Sequence, residues 1–269
     1  MARTFEGKVV VITGAAGGIG QALAREFGVR QGARLVLTDI DADRLEEARA
    51  ALGDGVQVIV QAADVRDAAA CQAVIDAGVA RWGGIDVMIN NAGMAHRSLF
   101  EDTSDEVLRR IIDVNLFGSI YCTRAALPSL LKRRGHVIAL SSVAGVAPLV
   151  GRTGYAASKH ALHGFFETLR AEVRRRGVHV LMVCPGFVDT PLNRRALGGD
   201  GQPVNRDRAD GDPMSPDALA GAIAAATARR DDFLFPTALS RAAYLLSRLA
   251  PSVYERMMLR NQRDEFPSV

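Results

Sequence analysis

Lysine, cysteine and long apolar runs are all scarce in this chain of 269 residues. Its three cysteines, Cys71, Cys122 and Cys184, are widely spaced and form no metal-binding pattern, which is typical of buried thiols in a reducing compartment. No apolar run approaches the roughly 18 residues that a membrane-spanning helix needs. A strand pattern begins within ten residues of Met1, which leaves no room for a signal peptide. We therefore expect a cytoplasmic protein.

Charge of one sign is not concentrated either. The net charge is +3 and the isoelectric point is about 9.0, and no basic cluster is longer than the triplet at 174–176. A solvated helix face explains such a triplet, so nucleic acid is not expected as a partner. His160 and His163 stand three residues apart without a third ligand nearby, and no metal site is predicted.

Apolar runs typical of strands alternate with amphipathic helical stretches along the chain. The strand-like runs lie near residues 8–13, 33–39, 56–61, 85–90, 136–141, 179–184 and 233–235. This alternation predicts an α/β fold, a doubly wound Rossmann fold with a seven-stranded parallel sheet and helices on both faces. With 48% hydrophobic residues, the chain can bury a large core as one domain at 1–236. Residues 237–269 are expected to be a helical extension of that domain.

A glycine-rich turn follows the first strand-like run. The segment Thr13-Gly14-Ala15-Ala16-Gly17-Gly18-Ile19-Gly20 predicts a tight turn and a helix that opens at about Gly18. Glycines let the backbone approach a pyrophosphate, and the N-terminus of a helix offers N–H groups and a positive dipole end to it. The residues expected to hold a dinucleotide here are Gly14, Ala16, Gly18, Ile19 and Gly20.

An acidic residue, Asp39, ends the second strand-like run about twenty positions further on, as in dinucleotide-binding units. Its carboxylate can accept hydrogen bonds from both ribose hydroxyls of an adenosine and would repel a 2′-phosphate. Ile40 follows it, and the glycine loop contains no basic residue. NAD(H) is therefore predicted to be preferred over NADP(H).

Tyr155 and Lys159 stand four residues apart in a chain with only three lysines. In a helix these positions share a face, so we expect the ammonium of Lys159 to favour the phenolate and to lower the tyrosine pKa from about 10. A tyrosine of this kind suits proton exchange with an alcohol or a carbonyl. The pair predicts redox chemistry if a hydride carrier binds.

These motifs together resemble the short-chain dehydrogenase/reductase family, in its compact single-domain branch with an extended C-terminal helical tail. The resemblance extends from Gly7 to about Pro236. Beyond the glycine turn and the Tyr155–Lys159 pair, it rests on Asp64-Val65, Asn90-Asn91-Ala92-Gly93, Asn115, Ser142 and Pro185-Gly186-x-Val188-x-Thr190.

The resemblance implies a role for each matched residue. Ser142 would orient the substrate oxygen, Tyr155 would exchange the proton, and Lys159 would also hold the nicotinamide ribose. Asn115 would hold a water that links Lys159 to solvent. The cofactor-binding residues implied, besides those of the glycine turn and Asp39, are Asp64, Val65, Asn91, Ala92, Gly93, Tyr155, Lys159, Pro185, Gly186, Val188 and Thr190.

The function predicted from these features is NAD(H)-dependent hydride transfer to or from a secondary alcohol or ketone. Two alternatives remain: an acyl-carrier ketoreductase of lipid or polyketide synthesis, and a non-enzymatic regulator that senses a dinucleotide. The irregular stretch from Leu197 to Pro213, after Thr190, lies where a substrate lid would sit. His96 is expected either to line the substrate cavity or to be exposed to solvent.

The tail beyond Pro236 reads as two helices, Ala238 to Leu249 and Ser252 to Arg260, separated at Pro251. Apolar residues recur at helical spacing, and the tail is rich in arginine. Such a stripe indicates packing against the body of the protein, against a second subunit of a homodimer or homotetramer, or on a membrane surface. In each case we expect it to border the substrate entrance, which favours a bulky apolar substrate such as a steroid, a retinoid or another lipid. The basic residues of the tail are Arg241, Arg248, Arg256, Arg260 and Arg263.

Overall fold

A computed structural model describes residues 4–190, 195–204, 213–262 and 266. The predicted substrate-lid stretch is therefore described at 197–204 and 213, and Arg263 lies outside the described residues. Seven strands form one sheet. They are β1 (Val9–Thr13), β2 (Arg34–Thr38), β3 (Val58–Val60), β4 (Val87–Asn90), β5 (His136–Leu140), β6 (His179–Val183) and β7 (Phe233–Leu234).

The strands are parallel and lie in the order β3-β2-β1-β4-β5-β6-β7. This order confirms the predicted doubly wound fold. The strand β1 is buried along its whole length, as its unbroken apolar run requires when helices cover both faces. Connections run to opposite sides of β1, so a crevice forms at the carboxyl ends of β1 and β4, where such sheets bind ligands.

Helices lie on both faces of this sheet and, at the C-terminal end of the chain, beyond it. They are α1 (Gly18–Ala24), α2 (Ala42–Ala50), α3 (Ala68–Trp82), α4 (Asp105–Ile112), α5 (Gly118–Arg133), α6 (Thr153–Val173), α7 (Pro216–Arg229), α8 (Ala238–Leu249) and α9 (Pro251–Gln262). A π-helical turn, Arg25–Arg30, continues α1, and another, Asp113–Phe117, joins α4 to α5.

Alternate residues of β1 supply two separate cores. Val10 and Ile12 pack in one core with residues of α1, α2 and α7. Val9 and Val11 pack in the other core with residues of α3, α5 and α6. This alternation follows from the period of two in a strand, and it holds the catalytic candidates of α6 rigidly against the sheet.

The C-terminal helices α8 and α9 form where the sequence predicts them, with Pro251 as the first residue of α9. Their predicted apolar stripe is largely exposed, at Leu239, Leu249, Val253 and Met257. These side chains are therefore not buried by the described part of the chain. No helix in the described part of the chain is long and apolar enough to span a membrane.

Polar contacts attach the tail to the rest of the fold. Ser247 Oγ donates to the Val146 carbonyl at 3.2 Å, and Tyr254 Oη donates to the Pro148 carbonyl at 2.8 Å. Both carbonyls belong to the loop that precedes α6. The tail thus supports a loop next to the predicted active site.

Candidate active site

A cleft of about 360 Å³ runs along the carboxyl ends of the strands. It is lined by segments that follow β2, β1, β4, β5 and β6, and by the first turns of α1 and α6. Most of the residues predicted from the sequence meet there. Those that line it are Gly14, Gly18, Ile19, Gly20, Asp39, Asn91, Ala92, Gly93, Ser142, Tyr155, Lys159, Pro185, Gly186, Val188 and Thr190.

The glycine turn needs glycine for two different reasons. Gly14 has a φ of +63°, and a Cβ there would lie 2.8 Å from Ala92 Cα. A Cβ on Gly20 would collide with the carbonyl oxygen of Gly14. These contacts bring α1 close to β1 and β4. Within the described part of the chain, no side chain caps the N-terminus of α1, so its N–H groups can face an anion.

Asp39 is held in the cleft by backbone donors. Its Oδ2 accepts from Ala16 N at 3.0 Å, and its Oδ1 accepts from Asp41 N at 3.3 Å. Ala16 does not itself line the cleft; it fixes the carboxylate that does. Arg44, which no sequence pattern indicated, also lines the cleft and donates from Nη2 to the Ala16 carbonyl at 2.8 Å.

The segment after β4 is tied to the glycine turn. Asn91 N and Ala92 N both lie 3.0 Å from Thr13 Oγ1, and Asn91 Nδ2 donates to the carbonyl of Gly14 at 3.0 Å. Small residues at Ala92 and Gly93 therefore form a close-packed floor of the cleft. No sequence pattern predicted that Thr13 would link the segment after β4 to the glycine turn.

Ser142 and Tyr155 line the same cleft. Ser142 follows β5 and accepts from Ala144 N at 3.1 Å, while Tyr155 lies in the first turn of α6. Burial raises the pKa of the Tyr155 phenol, and the Ser142 hydrogen bond and the charge of Arg152 only partly offset that rise. The predicted lowering of this pKa by Lys159 is therefore wrong for this structure. The phenol stays protonated at neutral pH, which suits a proton donor.

Lys159 is buried one helical turn beyond Tyr155. Its Nζ donates to the Leu140 carbonyl at 2.7 Å and lies 5.7 Å from the centre of the Tyr155 ring. Burial lowers the pKa of Lys159 to about 8. The ammonium is thus directed at the end of β5 rather than at the phenol oxygen, which explains why it does not lower the tyrosine pKa.

Asn115 lies in the π-helical turn between α4 and α5 and is fully buried. Its Oδ1 accepts from Met94 N at 2.7 Å, and its Nδ2 donates to the Met94 carbonyl at 3.0 Å and to Ser158 Oγ at 2.9 Å. The side chain therefore fixes the backbone after Gly93 and ties it to α6. It does not line the cleft, and the implied water-holding role remains a prediction.

Asp64 and Val65 lie outside the lining of the cleft. Asp64 pairs with Arg66, which lowers the pKa of its carboxyl. Val65 is buried, and a Cβ on Gly118 would meet its side chain at 2.7 Å. Their implied contact with the cofactor remains a prediction.

His96 is neither exposed nor a lining residue of the cleft. Its Nε2 accepts from Gly154 N at 2.9 Å, and its Nδ1 lies 3.3 Å from Ser98 Oγ. Burial lowers its pKa to about 4. The ring is therefore neutral, with the proton on Nδ1, and it satisfies an N–H group at the start of α6. Both alternatives predicted for His96 are wrong: it holds the helix that carries Tyr155.

Three further arginines that no sequence pattern indicated line the same cleft: Arg97, Arg152 and Arg195. Arg152 stands three residues before Tyr155, a helical spacing that could have suggested contact. The other two come together because Arg97 N donates to the Leu197 carbonyl at 2.8 Å and Leu197 N donates to the Ala95 carbonyl at 2.9 Å. No local pattern predicts that pairing.

Comparison with known proteins gives consistent matches. The sequence pattern of the short chain dehydrogenase family matches residues 8–198. Dehydrogenase/reductase SDR family member 7B of Bos taurus is 38% identical over 267 residues, which cover 96% of this chain and 82% of that protein.

Solved structures agree with the sequence match. A short chain dehydrogenase/reductase from Burkholderia phymatum, in complex with NAD, has a TM-score of 0.83 and 27% identity, and the match covers 93% of this chain and 96% of that chain. An alcohol dehydrogenase from Thermococcus sibiricus, complexed with 5-hydroxy-NADP, has a TM-score of 0.75 and 30% identity. That match covers 86% of this chain and 96% of that chain.

Proposed function

The chain belongs to the short-chain dehydrogenase/reductase family, and on that premise we propose that it transfers a hydride between NAD(H) and a secondary alcohol or ketone. The observation that carries this proposal is that Ser142, Tyr155 and Lys159 line one cleft together with the glycine turn. A regulator that only senses a dinucleotide has no need of a buried acid beside a serine. We therefore propose that the protein is an enzyme rather than a sensor.

The residues of the cleft fit a dinucleotide. The uncapped N-terminus of α1 and the close backbone approach at Gly14 and Gly20 suit a pyrophosphate. The bound nicotinamide would supply or accept the hydride. Lys159 and the segment from Pro185 to Thr190 are placed to hold the nicotinamide half, since both line the cleft beside Tyr155.

The protein's own groups then handle the proton. In ketone reduction the substrate oxygen lies against the hydroxyls of Ser142 and Tyr155, and Tyr155 donates its phenolic proton to that oxygen as the carbonyl carbon gains the hydride. Ser142 positions the oxygen through its own hydroxyl. In alcohol oxidation the same groups act in reverse, and Tyr155 receives the proton.

Preference for NAD(H) is supported by Asp39. A carboxylate held by two backbone donors at the end of β2 can accept from ribose hydroxyls and repels a 2′-phosphate. Arg44 is a cation in the same part of the cleft, and one of its N–H groups donates to the Ala16 carbonyl while others could bind a phosphate. We expect the Asp39 carboxylate, rather than Arg44, to decide between the two cofactors.

A bulky apolar substrate is supported by the walls of the cleft. Side chains on several segments give it an apolar lining near the reacting hydroxyls: Met94, Leu140, Val143, Leu149 and Phe187. Such walls favour burial of hydrocarbon over binding of small polar alcohols.

Steady-state assays test the proposal. A panel of apolar ketones is offered with NADH and, separately, with NADPH, and consumption is followed at the absorbance band of the reduced cofactor. We expect turnover with at least one bulky ketone and higher kcat/KM for NADH. Binding of NADH without turnover of any ketone or alcohol would instead favour the sensor.

A further inference from the structure

We propose that the substrate carries an oxyanion, a carboxylate or a phosphate ester, which Arg97, Arg152 and Arg195 bind in the cleft. This inference rests on the proposed function and narrows its substrate class. The three arginines belong to separate parts of the chain: the loop after β4, the residue before α6 and the segment after β6. All three line the cleft on the side of β1 opposite Asp39.

Arg152 is the most deeply placed of the three. It is only 9% exposed and is the N-cap residue of α6, and its Nη1 donates to the Gly151 carbonyl at 2.9 Å. Burial raises the pKa of Tyr155 and lowers that of His96, and the charge of Arg152 lowers both, as expected for a guanidinium that lines the same cleft three residues before Tyr155. The positive end of the α6 dipole lies at the same point.

Arg97 and Arg195 are brought together by the short pairing of residues 95–97 with Leu197. Arg97 is half-buried and Arg195 is exposed, so together with Arg152 they extend from the inside of the cleft to its rim. A guanidinium presents N–H donors in a planar fork that matches the two oxygens of a carboxylate or phosphate.

Most of the charged side chains that line the cleft are cations. Among the described residues, Asp39 is the only acid that lines the cleft, and it lies beyond β1. Whatever other contacts the arginines make, three guanidinium groups that face one cavity raise its potential and favour an anion there. The apolar walls between them and Tyr155 fit hydrocarbon. The substrate expected is therefore an amphiphile, with its ketone or alcohol at Tyr155 and its acidic group at the arginines.

The pyrophosphate of the cofactor is the competing anion. Its predicted position is the N-terminus of α1, at the carboxyl end of β1, whereas the arginines follow β4, precede α6 and follow β6. An arginine that served the cofactor would affect NADH binding. This difference makes the two assignments separable by experiment.

The test compares three ketones of equal chain length: a methyl ketone, a keto acid with a carboxylate at its far end, and a keto phosphate with a phosphate monoester there. The intact enzyme is assayed with saturating NADH. Variants are Arg152→Met, Arg195→Met and, as a control in the exposed turn after α6, Arg176→Met. NADH affinity is measured separately by fluorescence.

We expect wild-type kcat/KM to be at least about tenfold higher for an anionic ketone than for the neutral one, as one charge-assisted contact implies. Each cleft variant should lose about tenfold to a hundredfold on the anionic ketone and much less on the neutral one. The Arg176 variant should match wild type, and NADH affinity should hold in all three. The anionic ketone with the higher kcat/KM shows whether the natural substrate carries a carboxylate or a phosphate.

Equal kcat/KM for the three ketones, or equal losses on neutral and anionic ketones, would overturn the anion site and leave the proposed function intact. Weaker NADH binding in the cleft variants would assign the arginines to the cofactor instead. Absence of turnover with all three ketones would count against the proposed function itself. Because Arg195 is exposed, its variant keeps the test decisive if Arg152→Met does not fold.

Discussion

The two sides of the cleft differ in charge and in how that charge is held. On the β2 side, the Asp39 carboxylate is fixed by backbone N–H groups, and one cation, Arg44, lines the same part of the cleft. On the side of β4, β5 and β6, three arginines converge from segments far apart in the chain. Tyr155, Ser142 and Lys159 lie among the latter group. One side thus suits neutral ribose hydroxyls, and the other suits an anionic substrate.

This difference shows why cofactor choice and substrate choice can be altered separately. The Asp39 side depends on one local turn, so one substitution should change it. The arginine side depends on the packing of the loop after β4, the start of α6 and the segment after β6. Substitutions that act on one side should leave the other largely unchanged, and this independence can be measured.

The largest effect should come from Tyr155→Phe, which removes the proton donor on which the reaction depends. We expect kcat to fall by about a hundredfold to ten-thousandfold, the usual contribution of a general acid. NADH affinity should change little because the ring remains. Tyr121→Phe on α5 is the matched control, and retention of most activity by Tyr155→Phe would refute the assignment.

Lys159→Ala should have the next largest effect. The ammonium donates to the Leu140 carbonyl and is expected to hold the nicotinamide ribose, and each hydrogen bond to a charged group contributes about 1.5–3 kcal/mol. We expect kcat/KM to fall about a hundredfold and NADH to bind more weakly. Unchanged NADH affinity would contradict the ribose role.

The pH profile of the wild type provides a second test of Lys159. The ammonium is present below its pKa of about 8 and is lost above it. The kcat/KM for ketone reduction should therefore fall as pH rises through about 8, and the same limb should be missing in Lys159→Ala. A flat profile from neutral pH to well above pH 8 in the wild type would speak against this account.

Asp39→Ala should change cofactor choice by a smaller factor. It removes the repulsion of a 2′-phosphate and hydrogen bonds to ribose, worth about 0.5–3 kcal/mol each. The ratio of kcat/KM for NADH over NADPH should fall at least about tenfold. Asp43→Ala, on the exposed face of α2, is the control. A wild type that already uses NADPH better would show that Asp39 does not select the cofactor.

The smallest effect should come from Tyr254→Phe, which acts only on the substrate side. Loss of the hydrogen bond to the Pro148 carbonyl loosens the loop that carries Leu149 into the cleft. A hydrogen bond contributes about 0.5–1.5 kcal/mol net, so KM for a bulky ketone should rise about two- to tenfold with little change in kcat. Ser252→Ala, also on α9, should match wild type. A fall in kcat without a change in KM would indicate a different role for the tail.

Local patterns predicted most of the fold and the Asp39 side of the site. The glycine turn, Asp39 and the Tyr155–Lys159 pair stand at spacings that local structure sets, namely the turn after a strand, the end of the next strand and one turn of a helix, so their spacing was informative. His96 was assigned wrongly because its partner, Gly154, is 58 residues away. The pKa of Tyr155 was predicted wrongly because spacing reports proximity but not burial. Arg97 and Arg195 meet only through the tertiary pairing at Leu197.

The central claim is that this protein moves a hydride from NADH to a ketone at Tyr155. The most direct test uses NADH deuterated at the transferable position of the nicotinamide, with each diastereomer tested separately on a ketone that shows turnover. We expect one diastereomer to place one deuterium on the carbinol carbon of the product alcohol for each NADH oxidised, and Tyr155→Phe to suppress this transfer while still binding NADH. Oxidation of both diastereomers with no deuterium in the alcohol from either of them would contradict the claim.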